Sequence, residues 1–146
     1  MKKLFLSVAI LLGTIFSATA KDGYTIKAKF TDAHDTLVYL CNYFGKPSNV
    51  YRVDSAKLNK NGELIFKKKK KIVGGIYSLL FYDRTTNVEF ILNNGDDFSF
   101  ETARSNVYQS MTFKGLSENN EFYDYQRFLV KYGSEYPNNL FVNQTP

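Results

Sequence analysis

Between Gly23 and Gly115 apolar and polar residues alternate with a period of two, and turn formers interrupt them at short intervals. That pattern predicts strands with one buried face. Tyr24, Ile26, Ala28 and Phe30 share one face of the first segment, and Thr25, Lys27 and Lys29 the other. Residues 37–43 form a second strand, apolar on both faces. Residues 45–49 are a loop, because Pro47 offers no ladder donor and keeps Lys46 out of the helical region. Residues 51–58 are a third strand, with Asp54, Ala56 and Leu58 on one face. Asn61-Gly62 tolerates positive φ and reverses the chain into residues 63–67. Gly74-Gly75 precedes a central-strand run at 76–82. Turns at 83–87 and 93–96 lead into residues 88–92 and 98–102, and a last short strand carrying Met111 and Phe113 lies between Asn106 and Lys114.

The period then changes. Ser117 is placed to cap a helix, with Glu118 and Glu121 at its positive end. Phe122, Tyr125, Leu129, Tyr132 and Tyr136 recur every three or four residues, one stripe of a helix that Pro137-Asn138-Asn139 ends. Such a stripe is expected to pack on the sheet or against a following domain, with partial docking that leaves some of its face for a partner. About eight short strands and one C-terminal α-helix predict a mainly β fold, an antiparallel β-sandwich followed by that helix. No internal repeat is present.

Residues 1–20 do not belong to this fold. Lys2 and Lys3 precede an apolar run from Leu4 to Phe16, and Ala18-Thr19-Ala20 supplies a small-x-small cleavage pattern. The segment reads as a secretory signal peptide, too short to span a bilayer comfortably, and it predicts an exported, periplasmic or secreted protein. No cysteine follows the run, so no lipid anchor is expected. The expected organisation is a signal peptide at 1–20, a β-sandwich at 21–115, and a helix and linker at 116–146.

Composition sharpens this only in places. With 44% hydrophobic and 23% charged residues the chain is too apolar to be disordered. Its net charge of +5 is concentrated in Lys67, Lys68, Lys69, Lys70 and Lys71; without this run and the signal peptide the chain is slightly acidic. The run sits where two strands would join and reads as a solvated hairpin tip or an edge-strand guard. Contact with anionic lipid or polysaccharide is the alternative, while export and the lack of a spread basic face argue against nucleic acid.

No catalytic, cofactor-binding or metal site is expected. Cys41 is the sole cysteine and lies in a strand-like run, so it reads as a small buried hydrophobe. His34, the sole histidine, sits in a polar turn and cannot alone build a zinc site. Asp96-Asp97 lacks the spacing of a calcium loop and reads as an acidic turn. Asp54 and Glu63 could pair as carboxylates only if the fold brought them together. Tyr39, Tyr43 and Tyr51 could stack on sugars or simply pack.

Several motifs are shared with a known family. Gly23-Tyr24-Thr25-Ile26-Lys27-Ala28, Asp35-Thr36-Leu37-Val38-Tyr39-Leu40 and Asp54-Ser55-Ala56-Lys57-Leu58 with Asn61-Gly62, Leu64 and Phe66 carry the resemblance. Gly74-Gly75-Ile76-Tyr77 and Gly115-Leu116-Ser117-Glu118-Asn119-Asn120 with Phe122 and Tyr125 extend it. The chain resembles the N-terminal β-rich domain of unknown function of exported thioredoxin-like (AhpC/TSA-type) proteins of Bacteroidota. That resemblance implies an accessory module beside a thioredoxin-like domain or another envelope protein. The redox pair does not carry over, because the chain has one cysteine and no tryptophan. Three functions follow in order of preference: a non-enzymatic interaction module, an envelope- or carbohydrate-binding sandwich, and a redox protein acting through Cys41.

Overall fold

A computed structural model describes residues 21–43 and 50–135. Among these residues the strands are β1 (Tyr24–Phe30), β2 (Leu37–Tyr43), β3 (Val50–Lys57), β4 (Glu63–Lys68), β5 (Gly75–Phe81), β6 (Asn87–Leu92), β7 (Asp97–Thr102) and β8 (Thr112–Lys114). They form two four-stranded sheets in the orders β4-β1-β7-β8 and β3-β2-β5-β6. A 3-10 turn (Arg104–Asn106) and a one-turn helix α1 (Val107–Ser110) precede β8, and helix α2 (Ser117–Glu135) follows it. The expected β-sandwich with a following helix is the observed architecture. The signal-peptide segment, the loop at 45–49, Tyr136 and the chain-terminal linker lie outside the described residues.

The alternation of β1 translates directly into layers. Tyr24, Ile26, Ala28 and Phe30 are buried, while Lys27 is exposed and Lys29 half-buried. The core between the sheets is largely aromatic: Phe30 meets Phe81 edge-on at 4.9 Å between ring centroids, and Phe100 at 6.0 Å. Phe100 continues to Phe113 at 5.4 Å, and Phe113 to Tyr123 of the helix at 5.4 Å. One chain of rings thus runs from the second sheet through the first and into α2. Offset and edge-to-face pairs of this kind add to the stabilisation that burial alone provides.

The described strand pairs are antiparallel except β1 and β7, which run parallel with Thr25 opposite Asp97. The Asn59–Gly62 turn forms where expected. Asn59 Oδ1 accepts from the Asn61 and Glu63 amides at 2.8 and 2.9 Å, and Gly62 has φ +76°. A Cβ at Gly62 would sit 2.0 Å from the Phe30 carbonyl oxygen, so only glycine fits. This turn carries the chain from one sheet to the other. So does the lysine run, since β4 and β5 belong to different sheets. A hairpin tip is therefore not what these lysines form. They leave the edge strand β4, in keeping with an edge guard, and Lys68 reaches back to the Val53 carbonyl at 3.0 Å and Asp54 at 3.6 Å.

The stripe through Phe122, Tyr125, Leu129 and Tyr132 docks only in part: Phe122 packs on the core and Leu129 is half-buried, whereas Tyr125 is 58% exposed. The docked face instead runs through the fully buried Asn119 and Tyr123, with Leu116 and Phe122 at its flanks. Polar atoms decide the choice of face.

Tyr24 and Tyr77 test the interior of the sandwich. The Tyr77 hydroxyl donates to the Val73 carbonyl at 2.8 Å, whereas the buried Tyr24 hydroxyl has no hydrogen-bond partner among the described residues. Burial, with Asp54 and Tyr77 nearby, pushes the Tyr24 phenol up to about 12. Tyr24→Phe is expected to be neutral or stabilising by up to about 1 kcal/mol, and Tyr77→Phe to cost about 1 kcal/mol, because only the second strands a bonded group. A phenol whose folded pKa is raised supports the fold fully below its unfolded value near 10, and that support is lost as the pH climbs toward 12. Denaturant unfolding of wild type and both variants across this alkaline window checks the order, with Tyr24→Phe less sensitive to pH.

Candidate functional site

Strand β6 is the edge of the second sheet, so every other backbone amide and carbonyl along it would face solvent. Helix α2 removes that edge. Asn119 Oδ1 accepts from the Ile91 amide at 2.7 Å, and Asn119 Nδ2 donates to the Ile91 carbonyl at 2.9 Å. One side-chain amide thereby replaces a strand neighbour. One helical turn later the Tyr123 hydroxyl donates to the Glu89 carbonyl at 2.9 Å, and burial pushes that phenol strongly upward. Asn119 and Tyr123 are four residues apart and so lie on one helix face. Arg127 adds an anchor, donating to the Tyr108 carbonyl at 3.1 Å and pairing with Asp124.

Beyond this clamp the helix is only partly covered. Val130 continues the face of Asn119 and Tyr123 by helical spacing, yet it is 48% exposed. Tyr125 and Phe128 are 58% and 50% exposed on the opposite side of the helix. Phe128 stacks on Tyr132 with ring centroids 4.3 Å apart. The face through Asn119 and Tyr123 is thus structural, and the opposite face presents aromatic side chains to the outside. Tyr125 and Phe128, with Tyr132 stacked on Phe128, lie together on one side of the helix, and a contiguous apolar cluster on a rigid element marks an interaction surface.

The outer face of the second sheet holds Tyr39 and Tyr43, two of the three tyrosines singled out in the sequence, while Tyr51 lies in the row of Asn42 and Tyr77. Tyr39 packs between the guanidinium of Arg52, 5.1 Å from its ring centroid, and Tyr82 at 6.4 Å. Tyr43 donates to Glu89 Oε1 at 2.7 Å and accepts from Asn87 at 3.1 Å. Two of the three tyrosines are therefore engaged within the protein, and Tyr51 is 55% exposed. Between them the cross-strand row Arg52–Cys41–Ser78–Glu89 places Cys41 in the middle of the sheet. Cys41 is 3% exposed, and burial pushes its thiol pKa up against a weaker opposite pull from Arg52. A nucleophilic thiol needs the reverse.

The other candidates disperse. His34 is exposed beside Asp35 at 3.4 Å. Asp96 Oδ2 accepts from the Asn93 amide at 2.6 Å, as an acidic turn should, and Asp97 pairs with Lys21 at 3.0 Å. The bond from Lys21 holds the Asp97 carboxyl below the usual range. Asp54 is engaged by Lys68, and Glu63 by Asn59 Nδ2 at 3.1 Å, so the two carboxylates have separate partners. Among the described residues no group of three or more His, Cys, Asp or Glu side chains could hold a metal ion. No described helix is long and apolar enough to cross a membrane.

Sequence reasoning missed Asn119 and Tyr123 because it sought an apolar stripe. The available signal was an amide and a phenol one helical turn apart, just after the cap.

A family model described as Domain of unknown function (DUF4369) matches residues 24–122. No curated protein matches the chain. Among solved structures, the crystal structure of (S)-allantoin synthase is similar at a TM-score of 0.42 and 14% identity, covering 66% of this chain and 44% of that one. The chain thus spans less than half the length of that protein.

The clamp makes a direct prediction. Asn119→Leu leaves the amide and carbonyl of Ile91 buried without partners, at about 1–3 kcal/mol for each such group, whereas Tyr123→Phe loses one bond and should cost about 1 kcal/mol. Urea unfolding that ranks Asn119→Leu clearly below Tyr123→Phe is expected; equal, near-zero effects would show that the helix does not seal β6.

Proposed function

Because the chain belongs to the DUF4369 family, whose description names no function, we propose that it is a non-enzymatic, exported interaction module. Its distal helix surface docks a thioredoxin-like domain. The observation that carries this reading is the contrast between the helix face fastened to the sandwich through Asn119 and Tyr123 and the opposite face, which displays Tyr125 and Phe128. Partly exposed aromatic side chains on a rigid element can supply large contact area at low entropic cost, as protein-binding hot spots do. Burial of Cys41 and the dispersal of the acidic residues support a role without chemistry of its own.

A thioredoxin-like domain encoded beside this chain, titrated into the isotopically labelled protein, should shift the backbone NMR signals of residues 125–130. Phe128→Glu should weaken binding at least about ten-fold, equivalent to about 1.4 kcal/mol, while Ile65→Glu on the far edge leaves it unchanged. A footprint confined to either sheet, or undiminished binding by Phe128→Glu, contradicts the reading.

A further inference from the structure

The outer face of the first sheet contains a shallow groove of about 620 Å³ that no role described so far uses. Strand register arranges its side chains in rows. Lys27 lies opposite Ser99, and Ser99 opposite Lys114, so two lysines flank one hydroxyl across three strands. With strands about 4.8 Å apart, the two lysines start about 10 Å from each other, and their flexible stems can converge above Ser99. Neither lysine has an ion-pair partner among the described residues, although both stand exposed. In the next row Lys67 lies opposite Thr25, whose other neighbour Asp97 is paired with Lys21.

The row on the other side has a different character. Lys29 faces Glu63 and Glu101, and pairs with Glu101 at 3.1 Å. Glu63 gives one oxygen to Asn59 and Glu101 one to Lys29, so each carboxylate keeps an oxygen able to accept a further hydroxyl. Ile65, 59% exposed, lies opposite Lys27 and gives the groove an apolar step. A row of cations beside a row of hydroxyl acceptors suits a ligand that carries carboxylates on one side and hydroxyls on the other. A free phosphate would engage the lysines and gain nothing from Glu63 and Glu101, and a run of glutamates would offer these two carboxylates no hydroxyls.

We propose that this groove binds an acidic polysaccharide, with uronate carboxylates on Lys27, Ser99 and Lys114 and sugar hydroxyls on Glu63 and Glu101. The positive field that draws the polymer is the one that already depresses the neighbouring Asp97 carboxyl, to which Lys27 and Lys67 contribute after Lys21.

Calorimetric titration with a hexagalacturonate decides the matter, with a neutral hexasaccharide, inorganic phosphate and oligoglutamate as comparison probes. The expected result is binding of the uronate alone, weakening as salt rises. Lys27→Gln combined with Lys114→Gln should lose at least ten-fold in affinity, and Lys60→Gln in the β3–β4 turn should lose none. All three lysines are exposed, so melting temperatures of the variants should match wild type. Retained binding in the double variant, equal binding of the neutral sugar, or equal binding of phosphate or oligoglutamate overturns the assignment.

Discussion

The pair of hydrogen bonds between the Asn119 side chain and the backbone of Ile91 decides how the rest of the molecule is arranged. A sandwich of two four-stranded sheets has open edges, and an unprotected edge such as β6 invites pairing with another chain. An amide is the side chain suited to replace a strand neighbour, because it presents one acceptor and two donors in a plane. Once Asn119 is fastened there, Tyr123 falls on Glu89 one turn later, its ring completes the aromatic chain through Phe113, and the axis of α2 is set. The helix so fastened turns Tyr125 and Phe128 to its opposite side, where they are exposed.

That arrangement separates the functions of the surface. The exposed helix face is apolar and rigid, the first sheet's outer face is charged and grooved, and the second sheet's outer face is aromatic but internally satisfied by Arg52, Glu89 and Asn87. Each property follows from which strands are neighbours rather than from any local motif. Lys27, Ser99 and Lys114 come from three separate stretches of sequence and meet only because β7 lies between β1 and β8.

Much of the fold was legible because period-two alternation, Asn-Gly turns and the shift to helical spacing are local signals, as in β1, residues 59–62 and Ser117 onward. The buried state of Cys41 followed from its apolar neighbours in the same way. What escaped was non-local. Nothing in residues 24–30 announces a parallel neighbour from residues 97–102, and nothing near the lysine run announces that the chain changes sheet there. The docked face of α2 escaped for a different reason. Hydrophobic periodicity pointed to Tyr125 and Leu129, but the requirement at an open edge is hydrogen bonding, and Asn119 with Tyr123 satisfies it better than any apolar stripe.

Amide hydrogen exchange at Ile91 tests this account most directly. An edge-strand amide open to water exchanges through local fluctuations, whereas one held by a buried side chain exchanges only when the structure around it opens. Protection of the Ile91 amide comparable to that of core amides such as Leu79, falling sharply in Asn119→Ala while Leu79 falls only with global stability, is the predicted result. Rapid exchange at Ile91 in the intact protein would contradict the claim that the helix is fastened to β6, and with it the division of α2 into an anchor and a displayed surface.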